Sequence, residues 1–133
     1  MCGIVAVLGG SSGRQAQRVA SGLEAIRHRG SDGTGAWAST DPRVDSLAGS
    51  RHCTLGHVRL ATLALSNGAQ PITNEDGRVA VTCSGELYDL EATRRDLEAR
   101  GHRFKTGSDC ELIVHLYEEF GARGCVERLR GEF

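Results

Sequence analysis

Apolar and polar positions follow two periods along this chain. Gly3 to Leu8 is a short, continuously apolar run rich in β-branched residues, which predicts a buried strand. Ser12-Gly13-Arg14-Gln15 has the spacing of a capping box, in which Ser12 satisfies early amide groups and a helix begins. Val19, Leu23 and Ile26 then recur at spacings of four and three, which gives that helix one apolar face. His28 to Gly35 reads as a loop. Ala36 to Ser39, Arg51 to Arg59 and Arg78 to Ser84 read as strands, the last preceded by the Asp76-Gly77 turn signal. Leu90 to Arg100 predicts a second helix, stopped by Gly101. Ser108-Asp109-Cys110-Glu111 is a second capping box. It opens a helix with Leu112, Ile113, Leu116, Tyr117 and Phe120 as its core face. A short helix from Ala122 to Leu129 follows. Strands and helices alternate without repeats or linkers, as expected of an α+β fold.

The chain's 133 residues suffice for one domain with a real core. Hydrophobic residues at 39% and charged residues at 25% exclude disordered and membrane-embedded classes. A net charge of -1 with scattered basic residues gives no footprint for nucleic acid. No run approaches the ~20 apolar residues of a membrane span. The run after Cys2 is too short for a secretory signal, so the cytoplasm is the expected compartment. Cys2, Cys53, Cys83, Cys110 and Cys125 form no Cys-x-x-Cys pair, so neither a zinc site nor a disulfide framework is expected. Cys53 and Cys83 are expected to be small core residues.

Cys2 changes this picture. Were Met1 removed, Cys2 would carry a thiol and a free α-amine together. An α-amine has a pKa of about 7.7–8.0, suited to a general base near neutrality. A nucleophile activated by its own amine is an established catalytic arrangement.

Other motifs follow in order: His28-Arg29-Gly30-Ser31-Asp32-Gly33, Gly56-His57-Val58-Arg59-Leu60-Ala61-Thr62, Gly68-Ala69-Gln70-Pro71, Ser84-Gly85-Glu86-Leu87-Tyr88 and Thr106-Gly107-Ser108-Asp109-Cys110-Glu111. With Met1-Cys2-Gly3-Ile4 this set resembles the glutaminase domain of class II glutamine amidotransferases, most closely that of glutamine-dependent asparagine synthetases. The resemblance spans residues 1–133 and is densest from Gly85 to Gly121. It implies a four-layer αββα sandwich of the N-terminal-nucleophile hydrolase type. In that family Gly131-Glu132-Phe133 would begin a further strand. The fold is therefore expected to be incomplete here, as a piece of a longer protein or a short subunit completed by a partner.

The resemblance also implies roles. Cys2 would attack the glutamine carboxamide, giving a thioester and ammonia. Ser84 and Gly85 occupy the oxyanion-binding positions. Arg59 would clamp the α-carboxylate, since its planar fork matches a carboxylate. Leu60, Ala61, Thr62 and Leu63 would supply backbone contacts, and Asp109 and Glu86 would face the α-ammonium. Arg29, Gly30 and Asp32 would hold the nucleophile's loop. His28 and His57 are expected to be structural, His57 as a satisfied core histidine. The expected partners are glutamine and a synthetase domain or subunit that accepts ammonia, with the full-length protein a homodimer. No cofactor is expected in this domain; ATP and Mg²⁺ would serve only a synthetase part.

Two departures qualify the match. The family usually has asparagine where this chain has Ser84, and proline where it has Ser31. The first leaves open a weak or inactive glutaminase-fold module. Val58 and Ala61-Thr62 lean towards a glutaminase of an amino-sugar or purine pathway.

Overall fold

The computed structural model describes residues 2–9, 12–39, 52–61 and 68–133. Strands β1 (Gly3–Leu8) and β2 (Gly33–Ala38) flank β3 (Cys53–Arg59) in an antiparallel sheet of order β1-β3-β2. The register sets Gly3 opposite Val58 and Gly33 opposite Arg59. The ladder with β3 starts β2 three residues before the expected Ala36, because backbone pairing recruits Gly33, Thr34 and Gly35 despite their loop-like composition. Helix α1 (Ser12–Ala25) covers one face of the sheet. Val19 and Leu23, joined by Ile26, pack against Val58, Val5 and Val7, as the four-and-three spacing predicts.

The same sheet corrects two expectations. Among the described residues β1 is an edge strand rather than one buried on both faces: Ile4 and Leu8 are 41% and 75% exposed. An apolar run reports strand propensity, while the neighbours decide burial, and α1 covers only the Val5 and Val7 side. Gln15 does not complete a capping box. Its buried Nε2 donates to the carbonyls of Gly9 and His52 at 2.6 and 2.7 Å, and its Oε1 accepts the Thr54 hydroxyl at 2.9 Å. It therefore sews the end of β1 to the start of β3. The Ser12 side chain lies outside the described part.

β4 (Ile72–Thr73) and β5 (Ala80–Val81) pair antiparallel across the expected turn, where the Gly77 amide donates to Asn74 and Gly77 takes φ 76°. Only two residues of the expected 78–84 strand enter this ladder. β6 (Glu86–Leu87) pairs with β7 (Gly131–Glu132). Helix α2 (Leu90–Ala99) runs into Gly101, at φ 106°. Helix α3 (Glu111–Val126) is broken at Gly121 (φ 66°, ψ -178°), and its second part ends before Leu129.

α2 and α3 share a core of Leu97, Leu112, Leu116 and Cys125. Ile72, Cys83 and Cys110 form a second cluster that joins the β4–β5 hairpin to α3. Cys83 is buried and Cys53 half-buried. Tyr117, expected in the core, is 47% exposed, because Leu112 and Leu116 already fill the contact with α2. Glu111 does not close a capping box with Ser108 either. Its fully buried carboxylate accepts the Lys105 and Thr106 amides and the Thr106 hydroxyl at 2.6–2.7 Å. Among the described residues the fold is a mixed α and β arrangement of three α-helices and antiparallel sheets. No described helix is long and apolar enough to cross a membrane.

Candidate active site

Because Gly3 pairs with Val58, the residue before β1 falls beside the residues that follow β3. Cys2 thereby lies against Leu60. The Leu60 amide donates to Sγ at 3.3 Å, and the thiol lies 3.5 Å from the Leu60 carbonyl. The Cys2 carbonyl accepts Arg29 Nε at 3.2 Å and the Ser84 hydroxyl at 3.5 Å. Sulfur and backbone are thus held by three separate segments. Cys2 opens onto a cleft of about 360 Å³, lined also by Leu60, Ser84, Gly85, Glu86, Tyr88, Glu132 and Phe133.

The loop after α1 forms a collar behind Cys2. A short 3₁₀ turn, Arg27–Arg29, delivers Gly30 onto the Arg59 backbone. A Cβ at position 30 would lie 2.5 Å from the Arg59 carbonyl carbon, so only glycine fits. The Asp32 amide donates to the Arg59 carbonyl at 2.9 Å. The Asp32 carboxylate accepts the Ala61 amide at 2.8 Å and the Ser31 hydroxyl at 3.0 Å. Those two hydrogen bonds, the Ala61 amide foremost, hold Asp32 below the ordinary aspartate range.

Of the sequence-predicted residues, Cys2, Leu60, Ser84, Gly85 and Glu86 meet at this cleft. A Cβ on Gly85 would collide with the Glu132 carbonyl, so glycine lets β7 close against this strand. Ala61 directs its amide to Asp32. Arg59 and Asp109 do not line the cleft. Asp109 Oδ2 accepts the Leu87 amide at 2.7 Å, with Ser108 Oγ 3.4 Å from Oδ1. Asp109 faces a separate groove bounded by Leu87 and Leu90. Thr62, Leu63 and Met1 lie outside the described residues.

His57 is a core residue but not a fully satisfied one. Its Nδ1 lies 2.8 Å from the Thr82 hydroxyl, and its buried Nε2 has no partner among the described residues. Burial, aided by Arg59, lowers its pKa and keeps it neutral.

Sequence reasoning missed Tyr88 and Glu132. Tyr88 follows Glu86 at the strand period of two, a usable signal. Glu132 comes opposite Glu86 only through the β6–β7 register. The Glu132 carboxylate, with burial and Glu86 adding to it, raises the Tyr88 pKa.

A family model described as a glutamine amidotransferase domain matches residues 1–133. The chain belongs to that family. Similar full-length proteins include an asparagine synthetase (glutamine-hydrolyzing) of Triphysaria versicolor, 46% identical over 136 residues, covering 100% of this chain and 21% of the relative. Asparagine synthetase (glutamine-hydrolyzing) 1 of Arabidopsis thaliana is 44% identical, with 100% of this chain and 21% of the relative covered. A probable asparagine synthetase (glutamine-hydrolyzing) of Dictyostelium discoideum is 43% identical, with 100% and 22% covered. This glutamine amidotransferase domain thus spans about one fifth of the length of the curated relatives it matches.

Proposed function

We propose that this glutamine amidotransferase domain hydrolyses glutamine to glutamate and ammonia at Cys2. The ammonia passes to an ATP-dependent synthetase domain that forms asparagine. The observation that carries the reading is the Cys2 sulfur, held on the Leu60 backbone at the wall of a cleft that also contains Ser84 and Gly85. The cleft volume of about 360 Å³ suits a single amino acid.

In this reading Met1 is removed and the α-amine of Cys2 takes the thiol proton as sulfur bonds to the carboxamide carbon. The proton then goes to the departing nitrogen, ammonia leaves, and a thioester remains. Water attacks the thioester, the carbon–sulfur bond breaks, and glutamate is released. The oxyanion of each step lies against the Gly85 amide and the Ser84 hydroxyl, where preorganised donors count most. By the family resemblance Arg59 with residues 60–63 receives the α-carboxylate; of these, Leu60 lines the cleft and Arg59 stands behind it. Glu86, on the cleft wall, receives the α-ammonium, with the Glu132 carboxylate opposite it adding negative charge; Asp109, assigned to the same role by the family resemblance, lies outside the cleft and holds the Leu87 amide beside Glu86. The four-layer αββα sandwich, a homodimer of the full-length protein and a cytoplasmic location belong to the same reading. The chemistry at Cys2 calls on no cofactor; ATP and Mg²⁺ serve the synthetase reaction.

The deciding experiment treats the full-length protein with a glutamine-analogue electrophile and maps the adduct by mass spectrometry. The label is expected on Cys2 with Met1 absent, and Cys2→Ala is expected to abolish both labelling and glutamate release. Labelling at Cys53 or Cys110 would sink the assignment.

A further inference from the structure

A second constellation lies outside the Cys2 cleft, where three segments converge: the turn between β4 and β5, the connection after α2, and α3. They bring together Glu75, His102, His115 and Glu118, with one potential ligand atom from each lying within 4.8 Å of all the others.

The separations are the informative quantity. His115 Nδ1 lies 3.6 Å from Glu75 Oε2 and 3.6 Å from Glu118 Oε2. His102 Nδ1 lies 3.5 Å from Glu75 Oε1 and 3.8 Å from Glu118 Oε2. These gaps exceed a good N–H···O hydrogen bond. The two 3.6 Å gaps from His115 to Oε2 of each carboxylate match the edge of a tetrahedron around an ion with bonds of about 2.0–2.2 Å, which is about 3.3–3.6 Å, and the 3.8 Å gap from His102 to Glu118 Oε2 is slightly longer.

The surroundings orient the donors inward. His102 Nε2 lies 3.1 Å from Glu119 Oε1. A carboxylate only accepts, so Nε2 carries the hydrogen, and in the neutral ring the Nδ1 lone pair then faces the cluster. His115 Nε2 faces the buried Glu111 carboxylate at 3.8 Å. Glu119–His102 thus has the order of a carboxylate–imidazole–metal relay, while Glu111 faces His115 beyond hydrogen-bond distance. The outer oxygens are occupied as well: Glu75 Oε1 accepts the Arg103 amide and Glu118 Oε1 accepts Asn74 Nδ2, both at 2.7 Å. That leaves Glu75 Oε2 and Glu118 Oε2 aimed at His115.

His115 supplies the independent observation. Its side chain is 0% exposed, and neither ring nitrogen has a hydrogen-bond partner among the described residues. A buried imidazole with both nitrogens unpaired is costly, and electron-rich atoms converging on it call for a positive centre. We propose that Glu75, His102, His115 and Glu118 bind one divalent transition-metal ion, of which Zn²⁺ suits two imidazoles and two carboxylates best. Two carboxylates neutralise its charge. Four protein ligands leave no open position, so the ion is structural and pins the β4–β5 turn and the post-α2 connection to α3. The paired-cysteine criterion passes over such a site, because its ligands come from three distant segments.

The test titrates Zn²⁺ into the chelator-treated, reduced full-length protein by calorimetry and substitutes Co²⁺ for optical spectra. Expected are one ion per chain at this site, a rise in unfolding temperature with Zn²⁺, and visible Co²⁺ bands of a tetrahedral nitrogen and oxygen site without a sulfur charge-transfer band. His115→Ala also opens a cavity, so the isosteric Glu75→Gln and Glu118→Gln carry the test. Each is expected to weaken Zn²⁺ binding at least tenfold while the protein still folds. Glu119→Gln, one step outside, is expected to weaken it about 10–100-fold. Absence of saturable Zn²⁺ binding, wild-type affinity in folded Glu75→Gln and Glu118→Gln, or a cobalt–thiolate band in place of the nitrogen and oxygen spectrum would overturn the proposal.

Discussion

The Ser84 hydroxyl lies 3.5 Å from the carbonyl oxygen of Cys2 and is directed to the nucleophile's own backbone. A hydroxyl has one hydrogen to give. At 3.5 Å this contact is longer than a good O–H···O bond, and serine is also shorter than asparagine, so Ser84 is a weak oxyanion donor.

Ser84→Asn is therefore expected to raise kcat for glutamine hydrolysis with little change in KM, the signature of an interaction made only in the transition state. The gain reaches ~10²-fold if serine contributes almost nothing as a donor. Steady-state assay of glutamate release checks this. A large loss of activity would mean that this domain has built a different oxyanion site around Ser84.

Asp109 offers a separation of two roles. Its carboxylate holds the Leu87 amide at 2.7 Å, an acceptor function that asparagine also performs. Asp109→Asn is expected to keep the unfolding temperature close to wild type. If the charge receives the α-ammonium, KM for glutamine rises one to two decades, corresponding to about 1.5–3 kcal/mol for a hydrogen bond to a charged group. Asp109→Ala is expected to add a loss of stability. An unchanged KM in folded Asp109→Asn would assign Asp109 to organising β6 alone.

The Asp32 collar carries a pH signature. Its folded pKa is lowered from 3.8, chiefly by the Ala61 amide and then by the Ser31 hydroxyl. Its contribution is therefore complete above 3.8 and is lost as pH falls through the lower folded value. Thermal unfolding of wild type and Asp32→Asn is expected to show a constant gap down to about pH 5, closing only in stronger acid. A gap that closes near neutrality would assign the effect to another group.

Helix α1 was legible because Val19, Leu23 and Ile26 recur at the helical period and all meet the sheet. Gly101 marked a helix end because the chain takes positive φ there. The Cys2–Ser84–Gly85 grouping was legible through motif order, since residues 2 and 84 are far apart in the chain. Burial was harder to read. The apolar letters of β1 carry no sign of its edge position, and Tyr117 sits at core spacing yet points outward. Gln15 and Glu111 looked like capping residues because their spacing fits. Their side chains instead bond backbone groups that only the folded chain brings near. The histidines of the Glu75 cluster had no local signature.

Gln15→Leu tests that unseen contribution. It keeps the side-chain volume but removes the amide that ties the Gly9 carbonyl, the His52 carbonyl and the Thr54 hydroxyl together; the His52 carbonyl still accepts the Gly9 amide at 2.9 Å. Each buried polar group left unpaired costs about 1–3 kcal/mol. The variant is expected to lose on the order of 3 kcal/mol in chemical denaturation, with KM for glutamine unchanged in the folded fraction. A loss below about 0.5 kcal/mol, the range of ordinary surface changes, would show that water replaces the amide at no cost.

The Gln15 bridge stands beside a second tie: the Ser39 amide donates to the Cys53 carbonyl, and the Cys53 amide to the Ser39 hydroxyl. The chain leaves the sheet after Ser39 and returns at His52 between two fastened posts. The two Ser39–Cys53 bonds fasten the end of β2 to the start of β3, at the opposite end of the sheet from Cys2 and Leu60. A disturbance at the Ser39–Cys53 end therefore has the full length of β3 to cross before it reaches the collar around Cys2.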